Sequence, residues 1–335
     1  MNRGVLLYVE CHFAQSNNEV DRFCNLFSKC CILVNMATLY TEKGRNVRKT
    51  WVLMGSFLVF IIGFCYLIAQ VMGNPAILYI GVIGALVMNI TSYWFSDSIV
   101  IKMTGAKAAD PVLHREVIQV VENLAITAGL PMPKVYVVED PAPNAFATGR
   151  NPEHAAVAVT TGLLAILNRT ELEGVLAHEL SHVGNRDILV STVAVVLAGF
   201  VAIISDMLMR GMMWGGGGDR DNKAGIVFII LGIIGIILAP IAAQMIQLAI
   251  SRKREYLADV SGAMLTRYPE GLASALEKIS SSNMPMQRAN NATAHLFIAD
   301  PFGNQHQSIT QKISGLFQTH PPAADRIRIL REMDL

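Results

Sequence analysis

Leu176-Ala177-His178-Glu179-Leu180-Ser181-His182 has the form H-E-x-x-H. At ~3.6 residues per turn, positions four apart on an α-helix lie about 40° apart around the axis. His178 and His182 then share one face and both reach one metal ion. Glu179 projects beside them, near where a metal-bound water would sit. Two imidazole ligands with a neighbouring carboxylate kept as general base is the zinc-hydrolase arrangement. That chemistry needs a helix, and the flanks supply one. Leu172, Val175, Leu176, Leu180 and Val183 form an apolar stripe at helical spacing. Thr170-Glu171-Leu172-Glu173 reads as a capping box with Thr170 as N-cap, and Gly184-Asn185 as the stop.

A catalytic zinc takes three protein ligands and leaves one position for water. Glu255 is the best candidate for the third. In Glu255-Tyr256-Leu257-Ala258-Asp259 it shares a helix face with Asp259, and a carboxylate at that offset can accept the remaining N–H of a metal-bound histidine. Two apolar runs separate His182 from Glu255, and an even number of crossings returns the chain to the same side of a membrane. His154, His295 and His306 compete for the position but have no helical carboxylate partner at a fixed offset. Taken alone, Glu255 and Asp259 also read as an acidic face balancing Arg252, Lys253 and Arg254.

The 335 residues are 52% hydrophobic and only 16% charged, which is too apolar for an ordinary soluble domain and calls for membrane spans. The net charge of +1 implies no nucleic-acid partner. Cys11, Cys24, Cys30 and Cys31 lie far ahead of the motif and Cys65 in an apolar run. This excludes a cysteine-ligated zinc near the motif and a disulfide framework.

Residues 1–35 are cysteine-rich, weakly patterned and without a signal-peptide layout. Met36 opens a basic segment followed by an apolar run, and the expectation is that translation starts there. Residues 36–95 form a membrane hairpin: Trp51–Met72 is long enough to span, Gly73-Asn74-Pro75 turns, and Ala76–Phe95 returns to an aromatic end. Lys43, Arg45, Arg48 and Lys49 ahead of it, with Lys102 and Lys107 behind, put both ends in the cytoplasm. Residues 96–187 are the first soluble part: a helix over Val112–Thr127, strands at Lys134–Glu139 and Ala155–Thr160, a short edge strand at Asn144–Gly149, then the motif helix. Residues 188–250 are a second hairpin from Ile188–Met207 and Gly225–Ile250, with Asp206, Gln244 and Gln247 read as interhelical hydrogen-bonding groups. Residues 251–335 return the third ligand and end in a helix near Ala324–Met333. The expected fold is α+β, mainly helical: an integral membrane protein with about four transmembrane helices and a zincin-type protease domain.

His178-Glu179-x-x-His182 followed by Glu255-x-x-x-Asp259, with apolar spans on both sides, resembles the gluzincin membrane peptidases that include HtpX and the CAAX prenyl endopeptidases. Asn144-Ala-Phe-Ala-Thr-Gly149, Ser251-Arg-Lys-Arg-Glu-Tyr-Leu-Ala-Asp259 and Thr319-His-Pro-Pro322 leading to Arg326 support the likeness over residues 36–335. Residues 1–35 depart from it. Four spans suit HtpX better than the larger prenyl endopeptidases. The resemblance implies an endopeptidase of the bacterial cytoplasmic (inner) membrane, facing the cytoplasm. It would hold one zinc ion per chain and act in stress response on misfolded or damaged membrane proteins within the lipid bilayer. It further implies a cleft where His320, with Arg326 behind it, supports the tetrahedral intermediate. Asn144, Ala145, Phe146, Ala147, Thr148 and Gly149 would offer an edge to which an extended substrate adds as a strand. Two other readings stay open on the sequence: prenyl-protein processing, and a membrane protein holding zinc as a structural or transported ion.

Overall fold

A computed structural model describes residues 44–70, 73–214, 252–282, 284–287, 293–302 and 321–334, without the side chains of 202–214 and 295. Chain contacts divide the molecule into Met1–Gly44 and Arg45–Leu335, and the description concerns the second unit. The proposed start at Met36, the fourth apolar run, Gln244, Gln247, His306 and His320 lie outside the described residues, as does the side chain of Asp206.

Among the described residues, two helices are long and apolar enough to cross a membrane: α1 (Gly44–Gln70) and α2 (Ala76–Trp94). Both carry bulky apolar side chains outward, among them Val59 at 71% exposure and Ile80 at 70%. Such a surface belongs in lipid rather than water. The turn between them is the expected one, with Gly73 at φ 64° and Asn74 Oδ1 accepting from the Ala76 N–H. α1 begins seven residues before the expected Trp51, because the basic segment ahead of the apolar run is helical too. After Phe95 the chain re-forms as α3 (Ser96–Thr104), closed by Gly105 in the left-handed region.

The part of the chain after α3 is built on a four-stranded sheet of β1 (Lys107–Ala108), β2 (Lys134–Val138), β3 (Ala145–Gly149) and β4 (Ala155–Thr160), in the order β1-β2-β4-β3. β2 and β4 are parallel, with Val137 opposite Val159; the β1–β2 and β3–β4 pairs are antiparallel. β4 is buried along its whole length. Its alternation divides it between two cores: Val157 and Val159 join the cluster with Val117, Val121, Leu176 and Leu180, while Ala156 and Ala158 join Val100, Phe146, Val195 and Phe297. Two covered faces explain why β4 reads as near-continuous apolar sequence rather than strict alternation.

α4 (Arg115–Ala128) ends at Gly129 in the left-handed conformation, as its sequence suggests. α5 (Thr161–Ile166) is a short helix capped by Thr160. α6 (Arg169–Gly184) is the motif helix, and ten of its residues are buried. Its capping box is set two residues earlier than expected: Asn168 caps, Glu171 reciprocates, and Thr170 donates its hydroxyl to Asn168 Oδ1. Asn is at least as good an N-cap as Thr, and the choice leaves Glu171 turned inward, where it accepts from Lys278 Nζ and Ser274 Oγ at 2.7 Å each.

The chain then turns sharply. Arg186 takes φ 57°, and α7 (Asp187–Trp214) leaves at 83° to α6. If that bent pair counts as one span, the candidate spans number three among the described residues, against the expected four. The first half of α7 packs on α1: Val190, Val193 and Leu197 meet Leu53, Phe57 and Ile61 in one cluster. α8 (Arg252–Thr266), α9 (Pro269–Ser281) and α10 (Ala323–Arg331) are the last helices among the described residues.

Candidate metal centre and active site

α6 presents His178, Glu179 and His182, and α8 crosses it with Glu255 and Asp259. The crossing is close because of Gly262. A Cβ there would stand 2.8 Å from the His178 backbone nitrogen and 3.1 Å from its Cα, inside the ~3.5 Å of ordinary contact. Only glycine lets α8 bring its carboxylates up to the histidines.

His178 Nε2 and His182 Nε2 stand 3.2 Å apart. Glu255 Oε2 is 3.9 Å from the first and Oε1 3.6 Å from the second. The two rings are nearly perpendicular, at 88°. Ligand atoms held ~2.0–2.1 Å from one tetrahedral ion stand about 3.3 Å from one another. The three donors therefore fit a single ion once Glu255 closes by a few tenths of an ångström. Charge supports the fit. Glu179, Asp187, Glu255 and Asp259 are each 9% exposed or less, as are Arg254 and Arg326. Four buried carboxylates against two guanidinium groups leave an excess of two negative charges, the complement of one divalent cation.

Each histidine is gripped from behind by its own carboxylate. His178 Nδ1 donates to Asp259 Oδ1 at 2.9 Å. Arg326 in turn holds Asp259 with both arms, Nη2 to Oδ1 at 2.7 Å and Nε to Oδ2 at 2.8 Å. Burial alone would raise the Asp259 pKa; the Arg326 charge and the His178 bond outweigh it and bring it down to about 2. Arg326, also buried, is pushed up by the same carboxylate. His182 Nδ1 donates to Asp187 Oδ2 at 3.2 Å. Desolvation lowers the His182 pKa, but Asp187, Glu255 and Glu179 together raise it to about 9. In the ion-free geometry the pocket draws positive charge onto itself.

The sequence pattern placed His178, His182, Glu255 and Asp259 in one locus, and they meet there. Asp187 was missed. It lies five residues beyond His182 across a Gly-Asn-Arg break that hides any helical register, and a carboxylate opening an apolar run is easily taken for a membrane-boundary charge. Arg326, expected behind His320, is among the described residues, whereas His320 is not. Arg326 is 2% exposed and lies on the Nδ1 side of His178, with three donors engaged by Asp259 and by the Ile298 carbonyl at 3.4 Å.

The edge segment is more occupied than expected. Thr160 N–H bonds Asn144 O, so alternation turns Ala145, Ala147 and Gly149 to the outer edge of β3. Ala145 O already accepts from Ile298 N–H, Gly149 N–H from its side donates to Thr192 Oγ1, and Thr148 Oγ1 pairs with the same hydroxyl. The Asn144 amide clasps both backbone groups of Ala299. Phe146 is spent on Phe297, ring centroids 5.2 Å apart. Among the described residues Ala147, between these occupied positions, has neither its outer-edge N–H nor its C=O engaged by a neighbouring segment. His154 is not a ligand: it is exposed and bonds Arg150 and Asn151.

The sequence signature of peptidase family M48 matches residues 111–334. The chain belongs to peptidase family M48. It is 44% identical over 304 residues to a Protease HtpX homolog of Caldanaerobacter subterraneus subsp. tengcongensis, covering 89% of this chain and 99% of that one. It is 47% identical over 289 residues to a Protease HtpX homolog of Pyrococcus furiosus, covering 84% and 96%. Crystalline S. mikatae Ste24p superposes with a TM-score of 0.47 at 17% identity, covering 92% of this chain and 74% of that one. This M48 member is a metallopeptidase, and its outward-facing apolar helices make it a membrane protein.

Proposed function

We propose that this M48 peptidase is a zinc endopeptidase of a bacterial cytoplasmic membrane, cleaving misfolded or damaged membrane proteins as part of a stress response. The observation that carries the reading is the meeting of two imidazole nitrogens 3.2 Å apart with the Glu255 carboxylate, whose Oε1 is 3.6 Å from one and Oε2 3.9 Å from the other, with Glu179 next to a ligand and buried. Three protein donors leave a position open, as catalytic zinc requires and structural zinc does not. Bound zinc supplies Lewis-acid polarisation and lowers the pKa of water towards ~7.

The chain's own residues do the rest. His178, His182 and Glu255 hold the ion. Glu179 takes the proton from the attacking water and delivers it to the leaving amine. Asp259 and Asp187 keep the two imidazoles in the tautomer that turns Nε2 to the ion. Arg326 positions His178 through Asp259 rather than touching substrate. His320 remains the oxyanion donor on the strength of the Thr319-His-Pro-Pro322 resemblance. An extended substrate adds beside β3 at Ala147, with backbone bonds giving weak sequence preference.

The protease is assembled from residues 96–187 and 251–335, with the hairpins 36–95 and 188–250 in the bilayer. Basic flanks put the site on the cytoplasmic side. Arg150, directly after β3, lies over the Trp94 ring at 4.5 Å and bonds its carbonyl, so the substrate edge is tied to the aromatic end of α2. That tether suits loops of membrane proteins.

The test is proteolysis of an unfolded membrane protein by purified apo protein with and without zinc, alongside Glu179→Gln. Zinc-dependent cleavage that falls ~10²–10⁴-fold in the variant, with zinc binding retained, is expected. Zinc bound without cleavage by the wild-type protein in lipid would overturn the peptidase mechanism in favour of a structural ion.

A further inference from the structure

Asn46 is out of place for a residue near the start of a membrane helix. It is 0% exposed, and its Nδ2 donates to Asp187 Oδ1 at 2.6 Å and to the Asn185 carbonyl at 3.2 Å. These groups lie 141 and 139 residues away in sequence. Its own Oδ1 is buried with no hydrogen-bond partner among the described residues, which costs stability. A small apolar residue would pack here without that cost, so the donors need a reason. The amide cannot be turned to relieve it, because both groups it faces are acceptors.

The reason lies one bond further in. Asp187 gives Oδ1 to Asn46 and Oδ2 to His182 Nδ1 at 3.2 Å. Arg254 Nη1 also stands beside Asp187, at 3.5 Å, but among the described residues its guanidinium makes no hydrogen bond. Arg254 supplies charge without fixing direction. Asn46 is thus the group that sets the rotation of the Asp187 carboxylate, while its second N–H fixes the carbonyl of the corner before α7. The remainder of α1 lies along α7 through Leu53, Phe57 and Ile61, which holds Asn46 at that corner.

We propose that Asn46 is a positioning residue for the metal site: by orienting Asp187 it sets the His182 ring, so that metal affinity depends on how the first membrane helix is seated. The proposal rests on the reading of His178, His182 and Glu255 as ligands. A carboxylate partner of a ligand histidine is worth ~10–100-fold in metal affinity, and a group acting through that carboxylate is worth less.

The test measures zinc dissociation constants by chelator competition on the full chain in lipid nanodiscs, with helical content checked for each variant. Asn46→Ala is expected to weaken zinc about 3–10-fold, and Asn46→Asp, which sets a second carboxylate against Asp187, to weaken it more. In an Asp187→Asn background, Asn46→Ala should cause no further loss, since the two act in series. Folded Asn46→Ala protein that melts lower yet binds zinc like the wild type would overturn the proposal and leave Asn46 a packing residue. Full additivity of the two substitutions would overturn it too. Wild-type protein that takes up no zinc would bring down the ligand reading, and this proposal with it.

Discussion

Gly262→Ala separates the demands of the site from those of the fold. The added methyl would begin 2.8 Å from the His178 nitrogen and 3.2 Å from the Ala177 carbonyl carbon. Restoring ordinary contact requires α6 and α8 to part by about 0.6–1 Å. Both partners are backbone, so no side chain can swing away. Overpacking of this kind costs about 1–3 kcal/mol, while replacing a mid-helix glycine by alanine returns about 1 kcal/mol. The net loss of stability is thus small, on the order of 0–2 kcal/mol. The metal site has no such compensation. Glu255 stands 3.6 and 3.9 Å from the two imidazole nitrogens and must move inward to bind, whereas the methyl drives it outward. Coordination tolerates about 0.2 Å, so zinc affinity should fall by at least ~10-fold with the melting temperature little changed. Chelator competition and thermal unfolding of the same preparation measure both. A variant that binds zinc like the wild type would refute the idea that this crossing sets ligand geometry.

Other perturbations test other links. Arg326→Leu strands Asp259 as a buried charge and should cost about 3–5 kcal/mol, whereas Asp259→Asn paired with Arg326→Gln should recover part of that in chemical unfolding. Glu171, 4% exposed, has its pKa pulled below the usual carboxylate range: burial works against this, but the bonds from Lys278, Ser274 and the Asn168 backbone prevail. Its contribution is full above the unfolded carboxylate pKa and is lost as pH falls through the lower folded value. Glu171→Gln should therefore flatten the acid limb of the stability curve, and an unchanged limb would contradict the assignment. Lys278→Met should lower stability by about 1–3 kcal/mol at neutral pH, measured by denaturant midpoint. Arg150→Ala should leave zinc affinity intact and raise KM for membrane-protein substrates more than for a soluble peptide, if the Trp94 tether matters for substrate presentation.

Much of this was legible because the chemistry imposes short, fixed spacings. H-E-x-x-H needs a helix, and the apolar stripe of α6 follows. Glu255 and Asp259 were found by offset and by counting crossings. β2 and β4 stood out through β-branched runs between turn residues. What escaped was non-local or one-sided. Asn168 and Thr170 both cap well, and only Glu171 turning towards Lys278, 107 residues on, decides between them. Asp187 and Asn46 carry no pattern at all, since their meaning comes from a contact across the membrane hairpin. The edge of β3 looked open because sequence cannot reveal that residues 297–299 come back to lie against it.

The excess of two buried negative charges has a consequence for how many copies of the protein exist, besides how many are active. An ion that binds the native chain and not the unfolded one adds RT ln(1 + [L]/Kd) to stability, about 2.7 kcal/mol at a hundredfold excess over Kd. A chain that folds without its ion must bring those carboxylates together with only the positive charge drawn onto His182 to offset part of the excess. Such chains open more often and are more readily degraded. Scarcity of the metal would then thin the population of this peptidase rather than leave idle enzyme in the membrane.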